Sequence, residues 1–192
     1  MKYNYCSDCG GRGAYQIPAG DNRERFVCDD CSTIHYQNPL MVVGTIPLWV
    51  DRDGTPKVLL CKRAIEPRLG YWTLPAGFME HDETCEEGAI RETYEEAHAK
   101  LSNVTLYRLF NTFDRRQVHI YFRADMVDDS FSATSESSEV KLVAFDQIPW
   151  RELSFPSVYR ALKDFIDDYP EQTFLAKSTA IRREDWLNLN TD

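Results

Sequence analysis

Four cysteines near the N-terminus place the strongest constraint on how this chain can fold. Cys6, Cys9, Cys28 and Cys31 form the pattern C-x2-C-x18-C-x2-C. Two such pairs are typical of a zinc ribbon, in which each pair supplies two thiolates to one tetrahedral ion. A site closed by four thiolates has no open position for a substrate. The spacing therefore predicts a structural rather than a catalytic zinc ion.

The remaining cysteines and the N-terminal residues bear on the compartment. Cys61 lies in a strand-like pattern and Cys85 in a helix-like one, so both are expected to be packing residues. The first residues lack the apolar run of a signal peptide, and no run approaches the roughly 18 apolar residues that a membrane span needs. Because cytosolic thiols stay reduced, a disulfide framework is not expected. These observations predict a soluble, cytoplasmic protein without a membrane partner.

The charge of the chain is acidic and unevenly distributed. The formal net charge is −9, from 22 basic and 31 acidic residues, and such a field repels the phosphates of nucleic acid. Residues 80–96 alone hold eight carboxylates against one arginine and account for −7 of that charge. The balance argues against a nucleic-acid partner, although Arg115, Arg116 and Arg123 could form a local basic patch.

The hydrophobic pattern divides the chain into a ribbon at 1–36, a larger domain at 37–170 and a weakly patterned tail at 171–192, which we leave unassigned. Strands are predicted at 41–50, 57–62, 104–113, 117–126 and 140–145, and helices at 84–98 and from Ser157 to about Asp167. Pro47 is expected at a sheet edge or a bulge. This order predicts an α+β domain in which helices pack on a mixed sheet.

Three carboxylates in the first predicted helix share one face. At about 100° per residue, Glu92, Glu95 and Glu96 fall within about 100° of one another. Acidic runs are usually solvated helix faces, but like charges this close repel each other. A hard divalent cation such as Mg²⁺ would offset that repulsion, since it binds a few carboxylates together with substrate phosphates.

The same segment resembles the Nudix box, G-x5-E-x7-R-E-U-x-E-E-x-G-U, where U is an aliphatic residue. Every glycine-loop and charged position of the box before its last turn is matched: Gly77, Glu83, Arg91, Glu92, Glu95 and Glu96. Three positions depart from the pattern. Thr93 replaces an aliphatic residue, His98 replaces the glycine that would take a left-handed conformation freely, and Ala99 is smaller than usual.

The resemblance extends over roughly residues 6–160, to Nudix hydrolases that carry an N-terminal zinc ribbon. It implies the α/β/α Nudix fold, a mixed sheet sandwiched by helices. It also implies hydrolysis of the pyrophosphate bridge of a nucleoside diphosphate-linked metabolite with Mg²⁺ or Mn²⁺. Within the family the chain is most similar to FAD and ADP-ribose pyrophosphatases, which release AMP, and a homodimer is implied by the same resemblance.

The resemblance also implies roles for single residues. Glu92, Glu95 and Glu96 would hold the catalytic metals, with a backbone carbonyl near Ala76 or Gly77, while Glu83 would order the loop with Arg91. A general base is expected at Glu139, just before a predicted strand, with Glu136 as the second choice. The alternative for Glu139 is an ordinary surface acid at a strand entry.

Two further residues are candidate substrate contacts. Arg63 could reach a phosphate or simply cap the polar face of its strand. Trp72 could stack on a base or flavin, or pack beneath the Nudix loop. His119 alternates with apolar neighbours in a strand, which is typical of a half-buried structural residue.

Three alternative functions remain open on the sequence. An NADH pyrophosphatase would share the ribbon and the box, but the S-Q-P-W-P-x-P-x-S segment of those enzymes is not found here. An RNA-cap hydrolase would need a basic path for RNA. A non-catalytic nucleotide-sensing regulator would keep the fold, yet such proteins often have degenerate boxes, and this box keeps its charged positions.

Overall fold

The computed structural model describes residues 3–182, so positions 183–192 of the predicted tail lie outside the described residues. The chain divides after Pro39 into two compact units, which are described separately. Within the described residues, no helix has the length and apolar character needed to cross a bilayer.

The N-terminal unit is a three-stranded antiparallel sheet, β1 (Gly13–Gln16), β2 (Arg25–Cys28) and β3 (Ile34–His35), in that order. Its small apolar core is built around Phe26, which is 1% exposed and packs beside Cys6 and Cys28. The Phe26 ring also contacts Tyr3 and His35. A core of this size is too small to stabilise a domain alone, which is the usual setting for a structural metal.

The second unit is built on a mixed sheet. Its elements are β4 (Leu40–Val50), β5 (Pro56–Arg63), β6 (Trp72–Thr73), β7 (Ala76–Phe78), α1 (Cys85–Ala97), β8 (Leu101–Thr112), β9 (Gln117–Met126), β10 (Ser137–Ala144), two 3₁₀ turns (Phe145–Gln147 and Trp150–Glu152), α2 (Pro156–Asp168) and β11 (Lys177–Ile181). The strand order is β10-β5-β4-β9-β8-β11, with β6 beside β5 and β7 beside β4. The pairs β4–β9 and β8–β11 are parallel and the others are antiparallel.

The two helices cover opposite faces of this sheet. Val43 of β4 packs with Ala89 of α1, whereas Ile46 of the same strand packs with Val158 and Leu162 of α2. Side chains separated by an odd number of positions in a strand point to opposite faces. The predicted α+β architecture, a mixed sheet sandwiched by helices, is therefore confirmed.

Local signals define both ends of α1. Thr84 and Glu87 form a capping box, in which the Thr84 side chain accepts from the Glu87 amide and the Glu87 carboxylate accepts from the Thr84 amide. At the other end, His98 adopts the left-handed conformation (φ 53°), and its N–H donates to the Tyr94 carbonyl at 2.7 Å. The His98 ring lies 2.7 Å from Ser132 Oγ, so a hydrogen bond supports the strained position where the Nudix box has glycine.

The expected position of Pro47 was wrong, and one strand, although confirmed, begins earlier than predicted. Pro47 lies inside the central strand β4 rather than at an edge or bulge, because β4 pairs with β7 at 42–44 and with β5 at 48–50, and Pro47 falls between these pairings. Strand β10 begins at Ser137, three residues earlier than predicted, because it pairs with Arg63 of β5 through a register shift. Glu139 therefore lies within the strand, and Glu136 directly precedes it.

Arg108 of β8 connects α2 and the segment that follows it to the sheet. Its guanidinium group is 1% exposed and donates to Asp164 (2.8 Å) and Asp168 (2.7 Å) of α2, and to the carbonyl of Leu175 (2.8 Å). These bonds connect β8, α2 and the segment that precedes β11. Part of the tail that the sequence left unassigned is thus an edge strand, paired with β8.

Candidate functional site

Arg91 is the common partner of the acidic residues on α1 and its preceding loop. It donates to both oxygens of Glu83, at 2.9 and 2.7 Å, and to Glu92 (2.8 Å) and Glu95 (3.0 Å). Its remaining bond, at 3.2 Å, goes to the carbonyl of Phe78 in β7. One guanidinium group therefore fixes the loop against the helix and brings Glu83, Glu92 and Glu95 to one place.

Glu83 is held in the loop by these contacts. It also accepts a 2.8 Å hydrogen bond from the amide of Glu80. The hydrogen bonds from Arg91, with that of the Glu80 amide, lower the pKa of Glu83 to about 2. A carboxylate so fully engaged suits the ordering role that the resemblance implied, and that role stays a prediction.

Glu92 and Glu96 are the desolvated carboxylates of the site. Glu96 is 6% exposed and accepts a 3.4 Å hydrogen bond from the amide of Ala76 in β7. Burial, and next the negative charge of Glu92, raise the pKa of Glu96 to about 8. Burial also raises the pKa of Glu92. Glu95, on the same helix face, is more exposed.

Gly77 allows the backbone of β7 to approach these carboxylates. A methyl group added at Gly77 would overlap the carboxylate of Glu92. A side chain at this position would therefore displace the Glu92 carboxylate from its place beside β7, and glycine avoids that contact. The oxygens of Glu92 and Glu96 and the neighbouring carbonyls are hard donors that suit Mg²⁺ or Mn²⁺.

Of the two candidate bases, Glu136 lies in the electrostatic field of the site. Its negative charge contributes to the raised pKa of both Glu92 and Glu96. Glu139 instead pairs with Lys141 and, at 3.7 Å, with Lys62, and the hydrogen bond from Lys141 lowers its pKa. The charge interactions of the two residues favour Glu136, the second choice from the sequence, over Glu139, and both roles stay predictions.

Arg63 and Trp72 have different surroundings. The positive charge of Arg63 acts to lower the pKa of Glu96, and its guanidinium group lies 5.3 Å from the centre of the Phe155 ring. Trp72 is 6% exposed and packs in the core, with Lys62 and Lys141 over its ring. The burial of Trp72 favours the packing role that was its alternative, and a ligand contact at either residue stays a prediction.

The four cysteines of the N-terminal unit form a cluster. Their Sγ atoms all lie within 4.8 Å of one another, with separations of 3.7 Å for Cys6–Cys31 and 3.5 Å for Cys9–Cys28. Four thiolates at about 2.3 Å from a zinc ion would lie about 3.8 Å apart, so the cluster fits zinc. His35 Nε2 lies 3.2 Å from the Sγ atom of Cys6, as an outer partner of that ligand.

The sequence analysis missed a cavity of about 700 Å³ in the second unit. Polar residues that line it include Arg68, Arg115, Ser154 and Arg182. They come from separate parts of the chain, and no spacing in the sequence links them. A weak signal was available in Arg115, which was noted only as part of a possible basic patch.

Comparison with known proteins agrees with this arrangement. Residues 4–37 match the zinc-ribbon family described as Nudix N-terminal, and residues 41–165 match the NUDIX domain family. A NUDIX hydrolase of known crystal structure from Nitrosomonas europaea is 42% identical, with a TM-score of 0.87, over 94% of this chain and 100% of that one.

Two curated relatives are more distant. The NAD-capped RNA hydrolase NudC of Vibrio atlanticus (strain LGP32) is 32% identical over 105 residues, which are 54% of this chain and 35% of that protein. The ADP-ribose pyrophosphatase of Methanocaldococcus jannaschii is 28% identical over 135 residues, 68% of this chain and 75% of that enzyme. This chain thus spans only about a third of the length of its NudC relative. With Glu83, Glu92 and Glu95 assembled around Arg91 and the NUDIX domain matched over most of the second unit, the chain belongs to the Nudix family and carries the zinc-ribbon segment described as Nudix N-terminal.

Proposed function

We propose that this protein hydrolyses the pyrophosphate bridge of ADP-ribose or FAD and releases AMP. The observation that carries the proposal is the desolvated pair Glu92 and Glu96 beside the backbone of β7. Two carboxylates one helical turn apart and largely away from water are costly to ionise, and Arg91 pairs with Glu92 but not with Glu96, so a further cation would offset the remaining charge. A cation at this position is also what a dinucleotide needs to bring its bridging phosphates to an acidic protein.

Glu92, Glu95 and Glu96 are the residues that would hold Mg²⁺ or Mn²⁺, with a carbonyl of Ala76 or Gly77. When bound, such ions neutralise phosphate oxygens and lower the pKa of a water molecule. The contribution of the protein's own side chains is to position the substrate. Arg91 and Glu83 keep the loop and the helix in one arrangement, so that the bridging phosphates are oriented before reaction.

We infer that Glu136, in preference to Glu139, is the general base for the attacking water. Glu136 acts electrostatically on both Glu92 and Glu96, and it directly precedes β10. Glu139 is engaged by two lysines, which hold its pKa below the usual range and make it a weaker base. In this proposal Arg63 contacts a phosphate oxygen, since its positive charge acts at Glu96.

ADP-ribose is the first choice of substrate. The relative named ADP-ribose pyrophosphatase aligns over 75% of its own length, whereas the NudC relative aligns over 35%. FAD is the second choice, on the resemblance of the ribbon and the segments around the box. The NudC relatives favour NADH or NAD-capped RNA as a further candidate, against which stand the missing segment and the net charge of −9. A homodimer is the proposed assembly.

Product analysis tests this proposal. The full chain is incubated with FAD, ADP-ribose, NADH and a nucleoside triphosphate, with Mg²⁺ and separately with Mn²⁺, and the products are separated by chromatography. We expect AMP from ADP-ribose or FAD well ahead of the other substrates. Tight binding of a metabolite without turnover in either metal would instead favour a nucleotide-sensing regulator.

A variant pair tests the metal site. Glu96→Gln keeps the shape of the side chain but removes a charged ligand, so turnover is expected to fall about 100-fold or more while folding is retained. Glu86→Gln is the matched control, because Glu86 is an exposed acid of the same helix, in its first turn. Undiminished turnover in Glu96→Gln would show that the metal assignment is wrong.

A further inference from the structure

The cavity of about 700 Å³ is lined by three arginines, Arg68, Arg115 and Arg182, and by one carboxylate, Asp114. Three of the lining side chains are thus cationic, in a chain whose net charge is −9. The volume lies in the range of small-molecule sites, roughly 300–1,000 Å³. The charge of the lining therefore selects for an anionic ligand.

Each of these arginines rests on an aromatic ring. The guanidinium carbon of Arg115 lies 5.2 Å from the centre of the Phe155 ring, over which Arg63 also lies. Arg68 lies over Tyr71 and Arg182 over Phe113, each at 5.0 Å. Because guanidinium groups already lie over these rings, the cavity offers oriented N–H donors more than open ring faces. Such donors match phosphate oxygens better than a nucleobase.

An unsatisfied hydroxyl group gives independent support. Ser154 lines the cavity and is 1% exposed, and among the described residues its Oγ atom has no hydrogen-bond partner. A buried hydroxyl without a partner is destabilising, so such groups usually have a partner when a ligand is bound. An oxygen atom of an anion in the cavity would supply that partner.

The N-terminal end of α2 also favours an anion in the cavity. Phe155, Pro156 and Ser157 line the cavity, and Phe155 is the N-cap of this 13-residue helix. In the described part of the chain no side chain caps this end of α2. Free amides and the helix dipole at such an end attract negative charge.

We propose that this cavity binds a phosphomonoester dianion, held by Arg115 and the Ser154 hydroxyl at the start of α2, with Arg68 and Arg182 also in the cavity lining. The inference rests on the proposed function for the origin of the ligand. Arg63, whose charge acts at Glu96 and which lies over Phe155, connects the cavity to the carboxylates. The phosphomonoester is either a group on the non-reacting half of the substrate or the free phosphorylated product.

Direct binding tests the site without turnover. The full chain is titrated with ribose 5-phosphate in a calorimeter, with no Mg²⁺ added. Binding is expected, and Arg115→Gln should weaken it about tenfold or more, since hydrogen bonds to charged groups are the strong ones. Arg116→Gln, in the same turn but not part of the cavity lining, is the matched control and should bind as the unmodified chain does.

Ser154→Ala separates ligand binding from folding. Because the hydroxyl has no partner among residues 3–182, its removal should leave the melting temperature unchanged or slightly raised while weakening ribose 5-phosphate binding. Glu96→Gln should retain that binding, which distinguishes the cavity from the carboxylate site. Absence of binding, or equal binding by the unmodified chain, Arg115→Gln and Ser154→Ala, would overturn the proposal.

Turnover distinguishes the two sources of the phosphomonoester. ADP-ribose and ADP-ribose 2′-phosphate differ by one such group. If the group belongs to the substrate, kcat/KM should favour the 2′-phosphate about tenfold or more, and Arg115→Gln should reduce that ratio towards one. If the ligand is the product, the ratio stays near one and ribose 5-phosphate inhibits. Hydrolysis of neither compound would count against the proposed function and leave the binding result intact.

Discussion

The hydroxyl oxygen of Thr93 in α1 lies 2.7 Å from that of Thr45 in β4, at a point where both residues are 0% exposed. Thr93 donates its own proton to the carbonyl of Ala89 at 2.8 Å, so Thr45 is the donor to Thr93. The pair explains why this box has threonine where the Nudix pattern has an aliphatic residue. The Thr45 hydroxyl on the facing strand gives the buried Thr93 hydroxyl a hydrogen-bond partner.

This pairing predicts a non-additive effect on stability. Thr93→Val leaves the Thr45 hydroxyl buried without a partner, and should lower the free energy of unfolding by about 1–3 kcal/mol. The double variant Thr45→Val/Thr93→Val removes both hydroxyls and should recover most of that loss. Urea denaturation of the single and double variants measures the coupling. Simple addition of the two single losses would contradict the prediction.

The buried carboxyl of Glu96 predicts a pH dependence of metal binding. Its pKa is raised to about 8 by burial and by Glu92. Because a ligand carboxylate must be deprotonated, binding of Mg²⁺ below this pH releases a proton. The affinity for Mg²⁺ should therefore rise up to about tenfold per pH unit until about pH 8 and then level off. Calorimetry in two buffers of different ionisation enthalpy measures the released proton.

The same shift sets the sign of a stability effect in the absence of Mg²⁺. The folded pKa of Glu96 lies above the ordinary glutamate value of 4.5, so the unfolded chain loses this proton first as pH rises. Stability from this group is complete below about pH 4.5 and is lost as pH rises towards 8. Glu96→Gln should lack this loss, so its melting temperature should increasingly exceed that of the unmodified chain across the window. Parallel curves for the two proteins would argue against the raised pKa.

Glu136 and Glu139 make a direct test of the catalytic base. We expect Glu136→Gln to lower kcat about 100-fold, the usual scale for loss of a general base, with a change in the acidic limb of the pH–rate profile. Glu139→Gln should mainly remove the ion pairs with Lys62 and Lys141 and should lower kcat much less. Steady-state kinetics on ADP-ribose decides between them. The reverse order would return the role to Glu139.

The cysteine cluster predicts one bound zinc ion per chain. Cys28→Ser should lose it, and the N-terminal unit should then become sensitive to proteolysis, because metal binding supplies folding free energy in units with a small core. Cys85→Ser is the control, since Cys85 lies in α1 outside the cluster and should retain the ion. Elemental analysis measures the zinc content of each variant, and limited proteolysis measures the stability of the N-terminal unit. Full zinc content in Cys28→Ser would contradict the assignment.

Local patterns were sufficient to predict the central part of the site. Arg91, Glu92, Glu95 and Glu96 share one helix, and the spacing along a helix determines which of its residues are neighbours. The helix itself starts at a capping box that can be read from Thr84 and Glu87. Within each of the two cysteine pairs, Cys6/Cys9 and Cys28/Cys31, the residues are likewise only three positions apart. The distances that matter within the helix and within each pair therefore depend on a short stretch of sequence.

Features that depend on distant pairing were not predictable in the same way. The start of β10 is moved to Ser137 by its pairing with Arg63, more than 70 residues earlier in the chain. Strand β11 has little pattern of its own and is defined by its parallel pairing with β8. The cavity is the extreme case, because Arg68, Ser154 and Arg182 become neighbours only once the whole second unit has folded.

Arg108 has a consequence for how α2 finds its position on the sheet. An apolar helix face can slide on an apolar sheet at modest cost, since such packing is only weakly directional. A guanidinium group that is 1% exposed cannot tolerate the same movement, because displacement of Asp164 and Asp168 would leave a buried charge unpaired, at a cost of about 3–5 kcal/mol. The ion pairs thus set the position of α2 on the sheet and exclude docked arrangements that the surrounding hydrophobic contacts would accept.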